Sequence, residues 1–187
     1  KIIMIHIITI NWTTDKWIDI QLPSFKKYIK SPYKVYTRLG NMGEDLFNKH
    51  KNKYHHCVQG NKNEKFHVTV GMKLMLSEIK KNIKKGDIIM LIDSDAFFIK
   101  DISPLLDKLQ SHPFIAVQET NHDYTFNNNS NNPHPMFYLF KSEYISNDTG
   151  LEKALTNIIL SPNSNWWGGV EKWLLDNKIN YHPLHRS

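Results

Sequence analysis

Residues 86–98 read Gly86-Asp87-Ile88-Ile89-Met90-Leu91-Ile92-Asp93-Ser94-Asp95-Ala96-Phe97-Phe98. Five apolar residues follow one another without a polar interruption, bounded by a Gly-Asp break and by two carboxylates. A strand with one wet face alternates apolar and polar residues, so an unbroken run suits a central strand covered on both faces. Such strands belong to sheets with helices packed on either side, and this stretch therefore decides the fold class as α/β.

The flanking chain alternates strand and helix. Upstream, residues 1–10 are strand-like and Asn11-Trp12-Thr13-Thr14 is a polar break. Residues 15–30 read as a helix with Pro23 as a kink, and 33–37 as a strand before Gly40 and Gly43. A short helix over 44–50 and a short strand over 54–58 follow. A longer helix is expected from 64 to 84, because Val68, Met72, Met75, Leu76, Ile79 and Ile83 share one face at helical spacing.

Downstream, Ser103 is placed to N-cap a helix that has Pro104 at its first position. Strands are expected at 114–118, 136–140 and 179–185, and helices at 151–160 and 169–177. Residues 119–134 are polar and rich in Asn, which reads as a mobile loop. Neither a repeat nor a linker divides the chain. One domain over 1–187 is expected, with a mixed, mostly parallel sheet flanked by helices.

The charge balance points first to nucleic acid: 24 basic residues against 18 acidic ones give 24 − 18 = +6. Yet 22 of the basic residues are Lys, and Arg38 and Arg186 are the only arginines, whereas base and phosphate readout favours Arg. Nucleic acid is therefore not expected as a partner, and the Lys surplus reads as solvated helix faces with a mild pull on anions. A single cysteine, Cys57, excludes an internal disulfide or a multi-cysteine zinc module. His55-His56-Cys57 is no better a soft-metal site, since adjacent strand residues point to opposite faces. No apolar run reaches the ~20 residues of a membrane span, and the opening KIIMIHIITI reads as a strand, not as a signal peptide. A cytoplasmic protein is the expectation. Lacking an initiator Met and stopping just past His185, the chain is also expected to be a catalytic domain of something longer.

Open α/β sheets bind ligands beyond the carboxyl ends of their strands. That rule selects Thr9, Asn11 and Trp12 after the first strand, Thr37 and Arg38 after the second, and Lys65 and His67 at the entry to the long helix. After the central strand it selects Asp93-Ser94-Asp95. Two carboxylates at a semi-buried edge carry a desolvation cost, which a hard cation such as Mg²⁺ or Mn²⁺ removes while also bridging a diphosphate.

The segment from Ile89 to Phe98, with its continuation Ile99-Lys100-Asp101-Ile102-Ser103-Pro104-Leu105-Leu106, resembles the D-x-D region of GT-A-fold, nucleotide-sugar-dependent glycosyltransferases. The size is that of small glycosyltransferase domains of bacteria and large DNA viruses. Trp166-Trp167-Gly168-Gly169-Val170-Glu171 is similar to that family's W-G-G-E-D segment, although Val170 intervenes and Lys172 stands where the second acid would be. The resemblance implies a single Rossmann-like domain whose N-terminal part binds the nucleotide and whose C-terminal part binds the acceptor. It implies Asp95 as a direct ligand of Mn²⁺ or Mg²⁺, Asp93 beside it, and His185 as a further ligand with His182 as substitute. Thr9, Asn11, Trp12, Arg38, Lys65, His67 and Ser94 would surround the nucleotide of a UDP-sugar. Trp166, Trp167, Gly168, Gly169 and His134 would border the sugar or a glycan acceptor. Glu171 would deprotonate the acceptor in an inverting reaction or bind a hydroxyl in a retaining one, and the incomplete acidic pair tilts the reading toward retention.

Other classes compete, among them a phosphatase of the D-x-D-G-T type, whose motif would follow the first strand and carry Gly-Thr where this chain has Ala96-Phe97. A sugar nucleotidyltransferase shares a metal-binding Asp but usually carries a glycine-rich phosphate loop after its first strand, where this chain has Asn11-Trp12-Thr13-Thr14. A non-catalytic carbohydrate- or partner-binding module remains the other alternative, disfavoured by the intact Asp93 and Asp95.

Overall fold

A computed structural model describes residues 3–64, 67–119, 132–156 and 168–185. Along the chain, β1 (Ile5–Trp12) is followed by α1 (Ile18–Tyr28), β2 (Tyr33–Gly40), α2 (Glu44–His50), β3 (His56–Gln59) and α3 (His67–Lys80). Then come β4 (Ile88–Ile92), α4 (Ser103–Lys108), β5 (Phe114–Glu119), β6 (Asn132–Lys141), α5 (Glu143–Ser146), α6 (Leu151–Thr156), α7 (Gly168–Asp176) and β7 (Tyr181–His185).

The strands form one seven-stranded sheet in the order β3-β2-β1-β4-β6-β5-β7. All neighbours are parallel except β6, which runs against both β4 and β5. The carboxyl ends of the other six strands therefore meet at one edge. This is the single α/β domain with a mixed, mostly parallel sheet that the sequence predicts.

All five residues of β4 are buried, because helices cover both faces of the sheet. Ile88, Met90 and Ile92 pack with Ile5 and Ile7 of β1 and with Ile18 and Phe25 of α1. Ile89 and Leu91 face the other way, against Met75, Leu76 and Ile79 of α3 and Val170, Trp173 and Leu174 of α7. Each such side chain taken out of water contributes ~1.5–3 kcal/mol.

Several local expectations need correction. Helix α1 continues through Pro23; the carbonyl deprived of its partner belongs to Asp19, which is exposed and open to water. Helix α3 stops at Lys80 instead of 84, and Asp87 gathers the chain beyond it by accepting the Lys84 and Met4 amides at 2.8 and 3.3 Å. Ser103 is the first helical residue of α4, not its cap: its amide donates to the Asp101 carboxylate at 2.7 Å. Strand β6 begins at Asn132, four residues before its predicted start at 136, and α5 was not anticipated. The expected loop at 119–134 lies mostly outside the described residues, as does the end of the helix predicted over 151–160.

Candidate functional site

Where β4 ends, Asp93 donates its amide to the Met136 carbonyl of β6 at 2.9 Å, and Ala96 closes a turn by donating to the Asp93 carbonyl at 3.1 Å. This turn lifts Asp93 and Asp95 out of the sheet, and both are exposed. Exposed carboxylates carry little of the desolvation cost expected for a semi-buried edge. The pair is a candidate cation site by the chemistry of its donors, hard carboxylate oxygens two residues apart at an open edge. Among the described residues no group of three or more His, Cys, Asp or Glu side chains gathers as a metal cluster.

A cleft of about 260 Å³ opens beside the turn, lined by Asp93, Ser94 and Asp95, by Ile8, Ile10 and Trp12 of β1, and by His67, Val68 and Met72 of α3. Trp12 and His67 stack in it with ring centroids 3.8 Å apart. The six-membered ring of Trp12 also rests on Gly40 of β2, where a Cβ would come within 2.4 Å of its Cε3. Burial, then the nearby Arg38 guanidinium, lowers the His67 pKa, so its ring is neutral at pH 7.

The remaining nucleotide candidates lie elsewhere. Residues alternate faces along a strand, so Thr9 and Asn11 point away from the face that carries Ile8, Ile10 and Trp12. Both are buried and engaged: Thr9 Oγ1 donates to Gln21 Oε1 at 3.2 Å, and Asn11 Nδ2 donates to Thr37 Oγ1 at 3.0 Å. Arg38 is buried in an ion pair with Glu64 and donates to the His67 carbonyl at 3.3 Å, which places it behind the His67 backbone. Lys65 lies outside the described residues.

On the C-terminal side, Glu171 stands in the first turn of α7, half-buried, and burial raises its pKa. Burial first, then the Glu171 charge, raises the Tyr181 phenol; burial, then Asp93 and Tyr181, raises that of Tyr138. Gly169 has a packing reason of its own, since a Cβ there would lie 2.7 Å from the Ala154 carbonyl oxygen of α6. Gly168 opens the same helix α7. Trp166 and Trp167 lie outside the described residues, as do the side chains of His134 and His185.

By backbone register His134 pairs with Val117 and His185 with Gln118, which puts His185 at the same sheet edge as Asp93. Three inter-strand steps separate β7 from β4 in the strand order, about 14 Å at ordinary spacing. His182, three residues earlier on β7, has its ring centroid 5.0 Å from that of His112.

Gln21 is the residue that sequence reasoning missed. It is 1% exposed on the inner face of α1, between Ile18 and Phe25. Its Nε2 donates to the carbonyls of Asp93 and Ala96, both at 2.7 Å. Three residues on, Ser24 Oγ accepts the Phe98 amide at 3.2 Å. The signal was an amide at an apolar position of an amphipathic helix.

No family model matches the chain, and no curated protein matches it. Solved structures do. The apo form of glycosyltransferase GlyE from Streptococcus pneumoniae TIGR4 superposes with a TM-score of 0.57 at 12% identity, over 95% of this chain and 44% of that one. S. aureus TarS 1-349 superposes with a TM-score of 0.59 at 12% identity, over 97% of this chain and 58% of that one. The chain thus spans about half the length of these structures. At such identity the likeness is one of fold: the sheet and its flanking helices are those of a structure named as a glycosyltransferase.

Proposed function

We propose that the chain is a metal-dependent glycosyltransferase that moves a hexose-type sugar from a nucleoside-diphosphate sugar, a UDP-sugar, to a glycan or other hydroxyl acceptor. One observation carries this reading: the Asp93–Asp95 turn and the Trp12–His67 stack border the same cleft at the carboxyl edge of the sheet. An aromatic surface and a pair of hard oxygen donors are what a nucleoside diphosphate requires. The fold shared with GlyE adds support.

In this reading the N-terminal part holds the donor. Trp12 and His67 meet the base, Ser94 and Lys65 border the nucleotide, and Asp95 with Asp93 holds Mn²⁺ or Mg²⁺, with His185 as the third ligand. A cation held there would supply charge neutralisation for the diphosphate leaving group. The C-terminal part, with His134, Trp166, Trp167 and the Gly168-Gly169 helix start, receives sugar and acceptor. Glu171, whose burial favours the protonated form, is suited to exchange a proton with an acceptor hydroxyl or to hydrogen-bond it. A Lys in place of a second acid tilts the reading toward retention of configuration, with Glu171 in the binding role. The setting we propose is cytoplasmic, which one free cysteine suits.

Calorimetry with UDP, with and without Mn²⁺, tests the donor site. Metal-dependent UDP binding that is lost in Asp95→Ala is expected. Absence of UDP binding, or binding indifferent to both metal and Asp95, rejects it.

A further inference from the structure

We infer that Gln21 is a positioning residue for the Asp93–Asp95 turn, holding from behind the two carboxylates that would meet the cation; this rests on the donor-site reading above. The turn protrudes from the sheet edge, with Asp93 and Asp95 exposed and Ser94 and Ala96 half-buried. Left to itself such a turn samples several conformations, and two flexible carboxylates lose entropy when they converge on one ion. Gln21 opposes that freedom from the buried side.

Both hydrogens of its amide are used, one on the Asp93 carbonyl and one on the Ala96 carbonyl, each at 2.7 Å. These two carbonyls bracket Ser94 and Asp95, so the amide spans the turn like a strut. Two carbonyl partners also fix which end of the amide is nitrogen. The oxygen end is fixed in turn by the Thr9 hydroxyl, which donates to it at 3.2 Å from a strand residue that is itself 1% exposed. The helix is tied down alongside: Ser24 Oγ donates to the Gln21 carbonyl at 2.7 Å and accepts the Phe98 amide at 3.2 Å. Sheet, helix and turn thus form one hydrogen-bonded chain, Thr9 to Gln21 to the two turn carbonyls. A Leu at 21 would fill much of the space but take this donor from the Ala96 carbonyl and leave the Asp93 carbonyl with the Ala96 amide alone, and a Glu would set a carboxylate against both. Outer partners that orient metal ligands typically change metal affinity by about 10–100-fold when removed.

The test uses Gln21→Leu, with Thr9→Val as a milder variant that removes only the anchor on the amide oxygen. Titration with UDP at fixed Mn²⁺ and without metal separates two quantities. The metal-dependent gain in affinity should fall about 10–100-fold in Gln21→Leu and less in Thr9→Val, while metal-free UDP binding stays near wild type. A readout without metal accompanies it: amide hydrogen exchange should quicken at residues 93–98 and stay unchanged in β1 and β2. Unchanged metal dependence with unchanged exchange in the turn overturns the positioning role. So does an equal loss of metal-free and metal-dependent binding, which marks a general structural role. If Gln21→Leu does not fold, Thr9→Val decides by the same two measurements. A wild type without metal-dependent UDP binding overturns the donor-site reading and this inference with it. Wild-type binding that Asp95→Ala abolishes and Gln21→Leu spares overturns this inference alone.

Discussion

The indole of Trp12 and the imidazole of His67 stack with centroids 3.8 Å apart and planes inclined by 19°. The two residues are 55 positions apart, and the stack joins the end of β1 to the start of α3 across the mouth of the cleft. With His67 neutral, the pair is a contact between two uncharged rings. If it receives a nucleoside base, Trp12→Ala should weaken UDP binding by ~1–3 kcal/mol, the usual worth of one base–aromatic stack. Calorimetry at fixed Mn²⁺ reads this directly. An unchanged Kd would leave the stack a packing feature only.

Two helical glycines should answer differently to the same substitution. At Gly169 a new Cβ meets backbone, the Ala154 carbonyl oxygen at 2.7 Å, so α6 and α7 must part. At Gly71 it meets side-chain carbons of Ile10, the nearest being Cδ1 at 2.8 Å, which can turn aside. Gly169→Ala should cost ~1–3 kcal/mol of stability. Gly71→Ala should come within about 1 kcal/mol of neutral, because the gain in helix propensity offsets the crowding. Denaturant unfolding of both variants checks the order, and a Gly71 cost equal to or above that of Gly169 contradicts it.

The same residues show what a sequence can and cannot disclose. Burial of β4 on both faces was legible because periodicity reports directly which faces meet water. The cleft was legible in part, since strand ends locate an edge, but they do not say which of two alternating faces a ligand meets. Thr9 and Asn11 stand at the same strand end as Trp12, and only the packing of α1 over their face separates them from it. The ion pair that occupies Arg38 is not legible in sequence, because its partner Glu64 is 26 residues away, beyond the reach of local patterns. Gln21 hid for the same reason: its bonds to Asp93 and Ala96 span 72 and 75 residues.

A buried histidine makes stability depend on pH. His6 is 2% exposed, with Nδ1 3.0 Å from the Tyr36 hydroxyl and Nε2 3.4 Å from the Asp87 carboxylate. Burial lowers its pKa, outweighing the opposing pull of Asp87. The unfolded chain therefore takes up the proton first, so stability is fully present above about pH 6.5 and falls as pH drops below it. His55 and His67 are lowered by burial too and add the same sign. The melting temperature should fall by roughly 2–4 °C per kcal/mol lost as pH drops from 7.5 to 5. His6→Gln should melt lower at pH 7.5 but show a shallower slope. An equal slope in that variant would remove His6 as the source.

Glu171 carries the stereochemical question, and its environment gives the two answers different signatures. Burial raises its pKa, so its deprotonation occurs above the usual carboxylate range. As a general base it would impose an acid limb on kcat at that raised value. Glu171→Gln would then abolish the limb and lower kcat by about 10²–10⁴-fold. As a hydrogen-bonding group for the acceptor, the neutral amide keeps most of the interaction, so KM rises and kcat stays within about tenfold, in keeping with binding that acts on ground and transition state alike. With Lys172 salt-bridged to Asp176 at 2.8 Å and Val170 and Lys172 flanking Glu171 in sequence, the second pattern is the expected one. Kinetics of Glu171→Gln against pH, with the anomeric configuration of the product read by NMR, decides it. A lost acid limb together with an inverted product would assign Glu171 as the base.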